Sequence, residues 1–417
     1  MTKKPLFFYY LGNFLLNFFR YLFHLLLLRF LTPSAYGEFL SYLSLMYLLA
    51  IPTGTIASLV IKVVADFKGK KDSESINNFF YYLLQKTAPF GLAVGTLLII
   101  FSTPLANLFK AHPLAFIVLG VSTFISLFQT IISSFLTAFQ KFLTQTVIGF
   151  VNIFLTIIFS LFLIKIGLSA TGAVLGQIVA GIIITLLTLY QIKDAVFPFT
   201  RVPHKVKIPL RKFTLYSFIY NLGSMSLMSM DILVVRIMFD THVSGLYSSL
   251  SILGRMILFG LSPLVSLVLP MASLRYSQKQ SSRPVFLKLG ACILTLGLIG
   301  ASIFTAFSNL LVTKLSGIQY LSISPLLSYF AFTMVAFALS QFILSYLMAT
   351  SREQANYLYL LATLIQPLAL YLLGHSLENV VKVNFYLHLL LLATLLIYLC
   401  LPRLSALKFT HGQTKPK

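Results

Sequence analysis

The chain has 417 residues, of which 58% are hydrophobic and only 10% are charged, and its mean hydropathy is +0.92. This balance excludes a soluble globular protein. Because the apolar runs have helix length rather than strand alternation, it predicts an all-α polytopic membrane protein. Lys and Arg number 31 against 9 Asp and Glu, which gives a net charge of +22. In a membrane protein such an excess marks one side of the bilayer and its anionic lipids, so we expect no nucleic-acid partner.

Twelve hydrophobic segments of spanning length follow one another along the chain. They run approximately over 6–31, 37–65, 83–108, 113–138, 143–165, 169–191, 213–238, 244–272, 285–312, 323–349, 356–373 and 383–401. With the N-terminus inside, the outer loops hold only four of the 31 cations, namely Lys110, Lys165, Lys314 and Lys382. The positive-inside rule therefore predicts a multi-pass protein of the inner (cytoplasmic) membrane with both termini in the cytoplasm.

A connection at 193–212, rich in Pro and basic residues, divides the spans into two sets of six. It predicts an N-terminal six-helix lobe, 1–200, and a C-terminal six-helix lobe, 201–417. Because six is an even number, both halves should share one orientation, and a pseudo-two-fold repeat axis should lie along the membrane normal with a cavity between the lobes.

The first span of each half shows the repeat most clearly, since Leu25–Phe30 aligns with Ile232–Ile237. This register pairs His24 with Asp231, Arg29 with Arg236 and, after one extra residue in the turn, Gly37 with Gly245.

The first span also carries a polar stripe. Asn13, Asn17, Arg20 and His24 are spaced by four, three and four residues, which places them on one face of a helix. An arginine at the bilayer centre costs at least roughly 2.5–3.5 kcal/mol, so this face should meet protein or water. The stripe predicts either a structural contact with a neighbouring helix or, the interpretation that we favour for Arg20, an anion contact in a central cavity. For His24 alone the two interpretations stand equal.

Asp231 and Arg255 are the charged residues of the second half that lie deep within spans. They could form an ion pair with each other. Alternatively, Asp231 could titrate and couple transport to protons or sodium, and Arg255 could bind a phosphate bidentately. We favour the anion role for Arg255 and leave the role of Asp231 open.

Other polar residues have structural interpretations. Arg29, Glu38 and Arg236 lie at outer span ends, where snorkelling or a rim contact explains them. Pro52 and Pro263 should kink their helices. A row at helical spacing in the fourth span favours hydrogen bonds between helices: Ser122, Ser126, Gln129, Ser133 and Gln140.

The junction of the first two spans, Arg29–Phe39, reads Arg-Phe-Leu-Thr-Pro-Ser-Ala-Tyr-Gly-Glu-Phe. It resembles the junction motif of the polysaccharide-transport branch of the multidrug/oligosaccharidyl-lipid/polysaccharide (MOP) flippase superfamily, the O-antigen and capsule repeat-unit flippases. Weaker likenesses lie at the ends of spans four and ten, in 136–142 and 347–352.

The resemblance implies two six-helix lobes, alternating access, and export of undecaprenyl-pyrophosphate-linked oligosaccharide to the outer leaflet. It implies basic residues in the central cavity, a place that Arg20 and Arg255 fit by span and depth. The candidate substrate-binding residues are therefore Arg20, Arg255, His24, Asn13 and Asn17, and the candidate coupling residue is Asp231.

Two further function classes stay open. One is a multidrug or small-cation antiporter of the same superfamily. The other is a membrane-integral glycan polymerase or ligase, which the short outer loops disfavour. No GxxxxGK[ST] loop is present, so we expect transport driven by an ion gradient, the membrane potential or consumption of the product. We expect no enzymatic activity, catalytic residue, cofactor or metal; partners would be the lipid-linked glycan, anionic lipids and glycan-assembly enzymes such as glycosyltransferases or a polymerase.

Overall fold

A computed structural model describes residues 3–69, 72–197, 211–278 and 280–400 of the chain. Within these ranges it is built from α-helices: α1 (Lys3–Phe30), α2 (Pro33–Leu49), α3 (Ile51–Gly69), α4 (Ser73–Ile100), α5 (Ser102–Leu108), α6 (Pro113–Ala138), α7 (Phe142–Leu163), α8 (Ser169–Val196), α9 (Arg211–Met238), α10 (Thr241–Ser277), α11 (Arg283–Ala306), α12 (Ser308–Leu311), α13 (Leu327–Ala349), α14 (Asn356–Leu373) and α15 (Leu377–Cys400). Short π-helical or 3-10 segments join some of them, at Ile164–Leu168, Val312–Ser316, Ile318–Leu326 and Glu353–Ala355.

In the described part of the chain, nine helices or continuous helical runs are long and apolar enough to cross a membrane. Helices α2 and α3 make a tenth span if they are counted together across the 45° bend between them, where Pro52 lies. One run, Phe142–Asp194, contains both α7 and α8, which pack against each other around a break at Gly167, φ 98°. Separating those two helices and adding α1 gives the twelve predicted spans. Helix α10 continues through Pro263.

The start of α2 explains the junction motif. The Thr32 hydroxyl accepts a hydrogen bond from the Ala35 N–H at 3.3 Å, and Pro33 occupies the first turn, where no N–H is required. Gly37 lies so close to Gly245 of α10 that a Cβ on Gly37 would come within 2.8 Å of the Gly245 backbone. The two repeat-related glycines therefore allow α2 and α10 to cross with their backbones in contact.

The helices form two lobes of the kind that the repeat predicts. Helices α1 and α3–α8 pack chiefly among themselves and form the first lobe together with α2, which lies against the second lobe; α9–α15 form the second lobe. The lobes meet chiefly where α2 and α3 of the first contact α9 and α10 of the second. The predicted boundary at 200/201 lies in 198–210, outside the described residues.

Several hydrogen bonds between described residues join the lobes at one end of the molecule. This end carries the connections α1–α2, α5–α6, α7–α8, α9–α10, α12–α13 and α14–α15, which the sequence predicts to be outside, and we call it the sparsely charged face; the opposite end is the basic face. Arg236 donates from Nε to the Phe109 carbonyl at 2.8 Å and from Nη2 to the Lys110 carbonyl at 2.7 Å. Of the two interpretations of Arg236, snorkelling or a rim contact, the structure shows the contact, because the side chain is 1% exposed and binds the opposite lobe at the end of α9.

Candidate functional site

A polar cavity lies in the first lobe, between α1, α2, α6, α7 and α8. It consists of two adjoining parts of about 280 and 290 Å³, of which the second lies nearer the basic face. Residues shared by the walls of both parts are Arg20, Ser126, Gln129, Gly149 and Asn152. Among the described residues that line the cavity there is no Asp or Glu. The site therefore combines a positive charge with neutral hydrogen-bonding groups.

Arg20 lies where the two parts of the cavity join. Its side chain is exposed, and the hydrogen bond that it makes within the described residues is a long one, 3.4 Å, to Asn17 Oδ1 one turn earlier on α1. In the described part of the chain no carboxylate oxygen lies within 4 Å of it. Because a guanidinium carries five N–H donors, most of its donors are available to a bound anion.

The rest of the polar stripe is divided. His24 lines the part nearer the sparsely charged face, and its Nδ1 lies 3.4 Å from the Tyr36 hydroxyl. Asn17 is half-buried and contacts Arg20 without lining either part. The side chain of Asn13 lies outside the described residues. Of the polar stripe, Arg20 and His24 therefore line the cavity, and Asn17 contacts Arg20 without lining the cavity itself.

Four residues of the polar row of the fourth span also line the cavity, Ser122, Ser126, Gln129 and Ser133, whereas Gln140 lies beyond the end of α6 and does not. Ser122 and Ser126 donate to carbonyls one turn earlier on α6 itself, at 2.8 and 2.9 Å, and Ser133 does so at 3.2 Å. The interpretation of these hydroxyls as bonds between helices is therefore wrong. Their oxygen atoms, together with Gln129, present hydrogen-bonding groups to the cavity.

Three further amide side chains line the cavity, and none of them was a candidate site residue from the sequence. Gln145 and Asn152 come from α7, and Gln177 comes from α8. Each lies within an otherwise apolar span, where an uncompensated amide is costly. The cost of placing a polar group in the membrane, which marks Arg20 in the sequence, marks these three amides as well.

In the second lobe the corresponding charges are buried. Asp231 Oδ1 lies 3.5 Å from Arg255 Nη2, and both side chains are 2% exposed. Arg255 also donates to the Met228 carbonyl, and the Tyr247 hydroxyl donates to Asp231 Oδ2 at 2.8 Å. The structure thus shows the ion pair that was one of the arrangements left open by the sequence. It does not bring Arg255 into the cavity beside Arg20.

Further polar groups of the second lobe are also packed against one another. Gln366 Nε2 donates to Asn384 Oδ1 at 3.0 Å and to the Leu227 carbonyl at 3.1 Å. His388 Nδ1 lies 2.8 Å from the Asn384 carbonyl, and the side chains of Gln366, Asn384 and His388 are all buried. These groups bind and stabilise one another, whereas those of the first lobe face open space.

A protein-family model described as "Polysaccharide biosynthesis protein" matches residues 26–325, which is more than half of the chain. The chain belongs to this family. The match includes the α1–α2 junction, helices α6–α8 and the Asp231–Arg255 pair, whereas Arg20 precedes it. No curated protein matches the sequence.

Solved structures with a similar fold are transporters of the MOP superfamily. An inward-facing multidrug resistance MATE transporter matches at 14% identity and TM-score 0.74, over 95% of this chain and 96% of that one. An outward-facing MATE structure matches at 13% identity and TM-score 0.66, over 94% and 92%. A MOP transporter from Pyrococcus furiosus, described as having a binding pocket of reversed polarity, matches at 15% identity and TM-score 0.63, over 94% and 92%. At these identities the likeness shows the fold, so this polysaccharide biosynthesis protein has the fold of a multi-pass MOP transporter.

Proposed function

We propose that this family member is a flippase that moves an undecaprenyl-pyrophosphate-linked oligosaccharide across the cytoplasmic membrane by alternating access. The observation that carries the proposal is Arg20, which has no carboxylate partner among the described residues and lies in a cavity whose described lining contains no Asp or Glu. The family's link to polysaccharide biosynthesis and the MOP transporter fold support the same conclusion.

The lining suits the two chemical parts of such a cargo. A pyrophosphate offers several anionic oxygens, which a planar guanidinium binds with two parallel N–H donors. Sugar hydroxyls both donate and accept, and amides such as Gln129, Asn152 and Gln177 match them. Arg255 is not part of the proposed anion site, because its guanidinium is bound by Asp231 and by the Met228 carbonyl.

A cation or drug antiporter fits the described cavity less well. A cationic substrate is favoured by an accessible carboxylate, and the described lining has none. The buried carboxylate of Asp231 already faces Arg255. We therefore assign Asp231 a coupling role, in which proton or sodium binding weakens its ion pair, rather than a substrate-binding role.

We place the basic face in the cytoplasm, following the positive-inside rule. The native Cys292 and Cys400 are both exposed, so the test starts from a variant with serine at both positions. Lys165→Cys should then react with an impermeant thiol reagent added outside intact cells, and Ser281→Cys only with a permeant one, because the two exposed residues lie on opposite faces. External labelling of Ser281→Cys would reverse the proposed orientation.

Arg20 gives the direct test of the flippase proposal. In proteoliposomes loaded with lipid-linked oligosaccharide, Arg20→Ala should abolish flipping, and Arg20→Lys should restore part of it, because lysine keeps the charge and loses the bidentate geometry. Arg283→Ala is the matched control, since it removes an exposed arginine at the basic end of α11. Wild-type flipping by Arg20→Ala, or equal loss in the control, would contradict the proposal.

A further inference from the structure

Two arginines join the lobes at the sparsely charged face, and they occupy repeat-related positions. Arg29 lies at the end of α1 and Arg236 near the end of α9, the first helix of each lobe. Arg29 Nη2 donates to the Thr313 carbonyl at 3.2 Å and also to the Lys314 carbonyl. Arg236 contacts the carbonyls of Phe109 and Lys110, as described above. Each arginine therefore reaches across to the other lobe, and the two contacts are exchanged by the pseudo-two-fold axis.

The acceptors are also related by the repeat. The Phe109 and Lys110 carbonyls follow α5, and those of Thr313 and Lys314 follow α12, so both pairs lie where the third span of a lobe ends. Carbonyls at a helix C-terminus lack partners within their helix and carry the negative end of its dipole. A guanidinium that donates to two of these carbonyls gives each of them a hydrogen-bond partner. It also places a positive charge at the negative end of the helix dipole.

The local backbone holds these carbonyls in place. Lys110 adopts φ 47°, and the Ala111 N–H bonds to the Ala106 carbonyl at 2.9 Å, which closes the end of α5. On the other lobe Gly317 adopts φ 121°, and its N–H bonds to the Val312 carbonyl at 3.0 Å. Both third spans thus end in a turn with a positive φ, which leaves the preceding carbonyls free to accept from the opposite lobe.

Further contacts reinforce the Arg236 side. Lys110 Nζ donates to the Phe239 carbonyl at 2.6 Å, which adds a third hydrogen bond between the lobes on this side. Glu38 accepts from the His112 N–H at 3.1 Å and so fixes the loop that presents the Lys110 carbonyl. The Arg236 guanidinium is buried, and its Nη1 has no hydrogen-bond partner within the described residues. Burial of an incompletely satisfied charge is tolerable only while the two carbonyls stay in place.

We propose that Arg29 and Arg236 are paired clamps that hold the sparsely charged face closed, and that both must release their carbonyls before the cavity can open to that side. The Arg236 clamp is the stronger of the two, because it is buried and Arg29 is exposed. The clamps use only protein groups, so they act whatever cargo the cavity takes.

Accessibility of the cavity from that side tests the clamps. In the background with serine at Cys292 and Cys400, Ser122→Cys reports on the cavity and is treated with an impermeant thiol reagent from the sparsely charged face. Arg236→Gln should speed its labelling about tenfold, and Arg29→Gln should do so by a smaller factor, because each loses charge-assisted hydrogen bonds of the closed state. The double variant should label fastest.

Lys314→Gln is the matched control, since it removes a cation from the same face and leaves the Lys314 carbonyl in place. It should leave the labelling rate unchanged. Thermal unfolding of each purified variant excludes misfolding as the cause of faster labelling. Unchanged labelling in a folded Arg29→Gln/Arg236→Gln variant, or equal acceleration by Lys314→Gln, would overturn the proposal. Neither measurement requires the glycan, so failure here would leave the flippase proposal intact.

Discussion

The two lobes share a helical plan, yet they treat their internal polar residues in opposite ways. In the first lobe Arg20 stands exposed at the centre of a cavity, with a long contact to Asn17. In the second lobe Arg255 is buried against Asp231 and the Met228 carbonyl. The two lobes thus share the order of their spans and differ inside, since the first has open polar space around Arg20 and the second has its charges packed against each other. We infer a division of labour in which the first lobe binds and the second responds.

A side chain that fills the cavity of the first lobe should cause the largest loss of flipping. Gly181 lines it, and a Cβ there would meet Gln129 Oε1 at 3.7 Å, an ordinary contact. A longer side chain would then occupy the space of the cargo, so Gly181→Leu should abolish flipping in proteoliposomes while the protein still folds. Gly260→Leu is the control in the second lobe, where a Cβ would meet nothing within 4 Å. The division between the lobes would be contradicted if both variants lost activity equally.

Removing a charge should affect folding in one lobe and transport in the other. Asp231→Ala leaves the buried Arg255 without its carboxylate, and loss of one partner of a buried ion pair lowers the free energy of unfolding by about 3–5 kcal/mol. Arg20→Ala removes an exposed charge that has no carboxylate partner in the described part of the chain, and it should change stability little. Thermal unfolding in detergent measures both variants.

A double variant tests whether the loss of stability in Asp231→Ala comes from the unpaired charge of Arg255. Asp231→Ala combined with Arg255→Met should recover much of the stability, because an apolar replacement removes the unpaired charge. If Arg20→Ala destabilised the protein as strongly as Asp231→Ala, the contrast between the lobes would fail.

Replacing the Asp231 carboxylate by an amide of the same size should affect the coupling of transport to an ion gradient and little else. Asp231→Asn keeps the size of the side chain and removes its charge, so no carboxylate remains at this position to bind a proton or a sodium ion. We expect flipping to lose its dependence on an imposed proton or sodium gradient, while binding of the lipid-linked glycan stays close to wild type. The measurement is flipping with and without each gradient. An Asn variant that still follows the gradient in full would leave Asp231 only as a partner of Arg255.

Hydropathy and charge by themselves determined the architecture of this protein. Twelve apolar runs and the alternation of basic loops predict the spans, because a chain in lipid must satisfy its backbone groups within helices. Periodicity likewise placed Asn17, Arg20 and His24 on one face of α1, since spacing of three and four residues fixes direction on a helix. The repeat register also aligned Gly37 with Gly245, but the sequence did not show that the two glycines are in contact.

Only the tertiary structure decided what each polar side chain meets. Arg20, Arg236 and Arg255 look alike in sequence, as arginines within apolar runs, yet one faces a cavity, one binds the opposite lobe and one pairs with Asp231. Helical spacing gives the direction of a side chain, but not the identity or distance of the helix opposite. The partners lie up to 127 residues away along the chain, so packing alone brings them together.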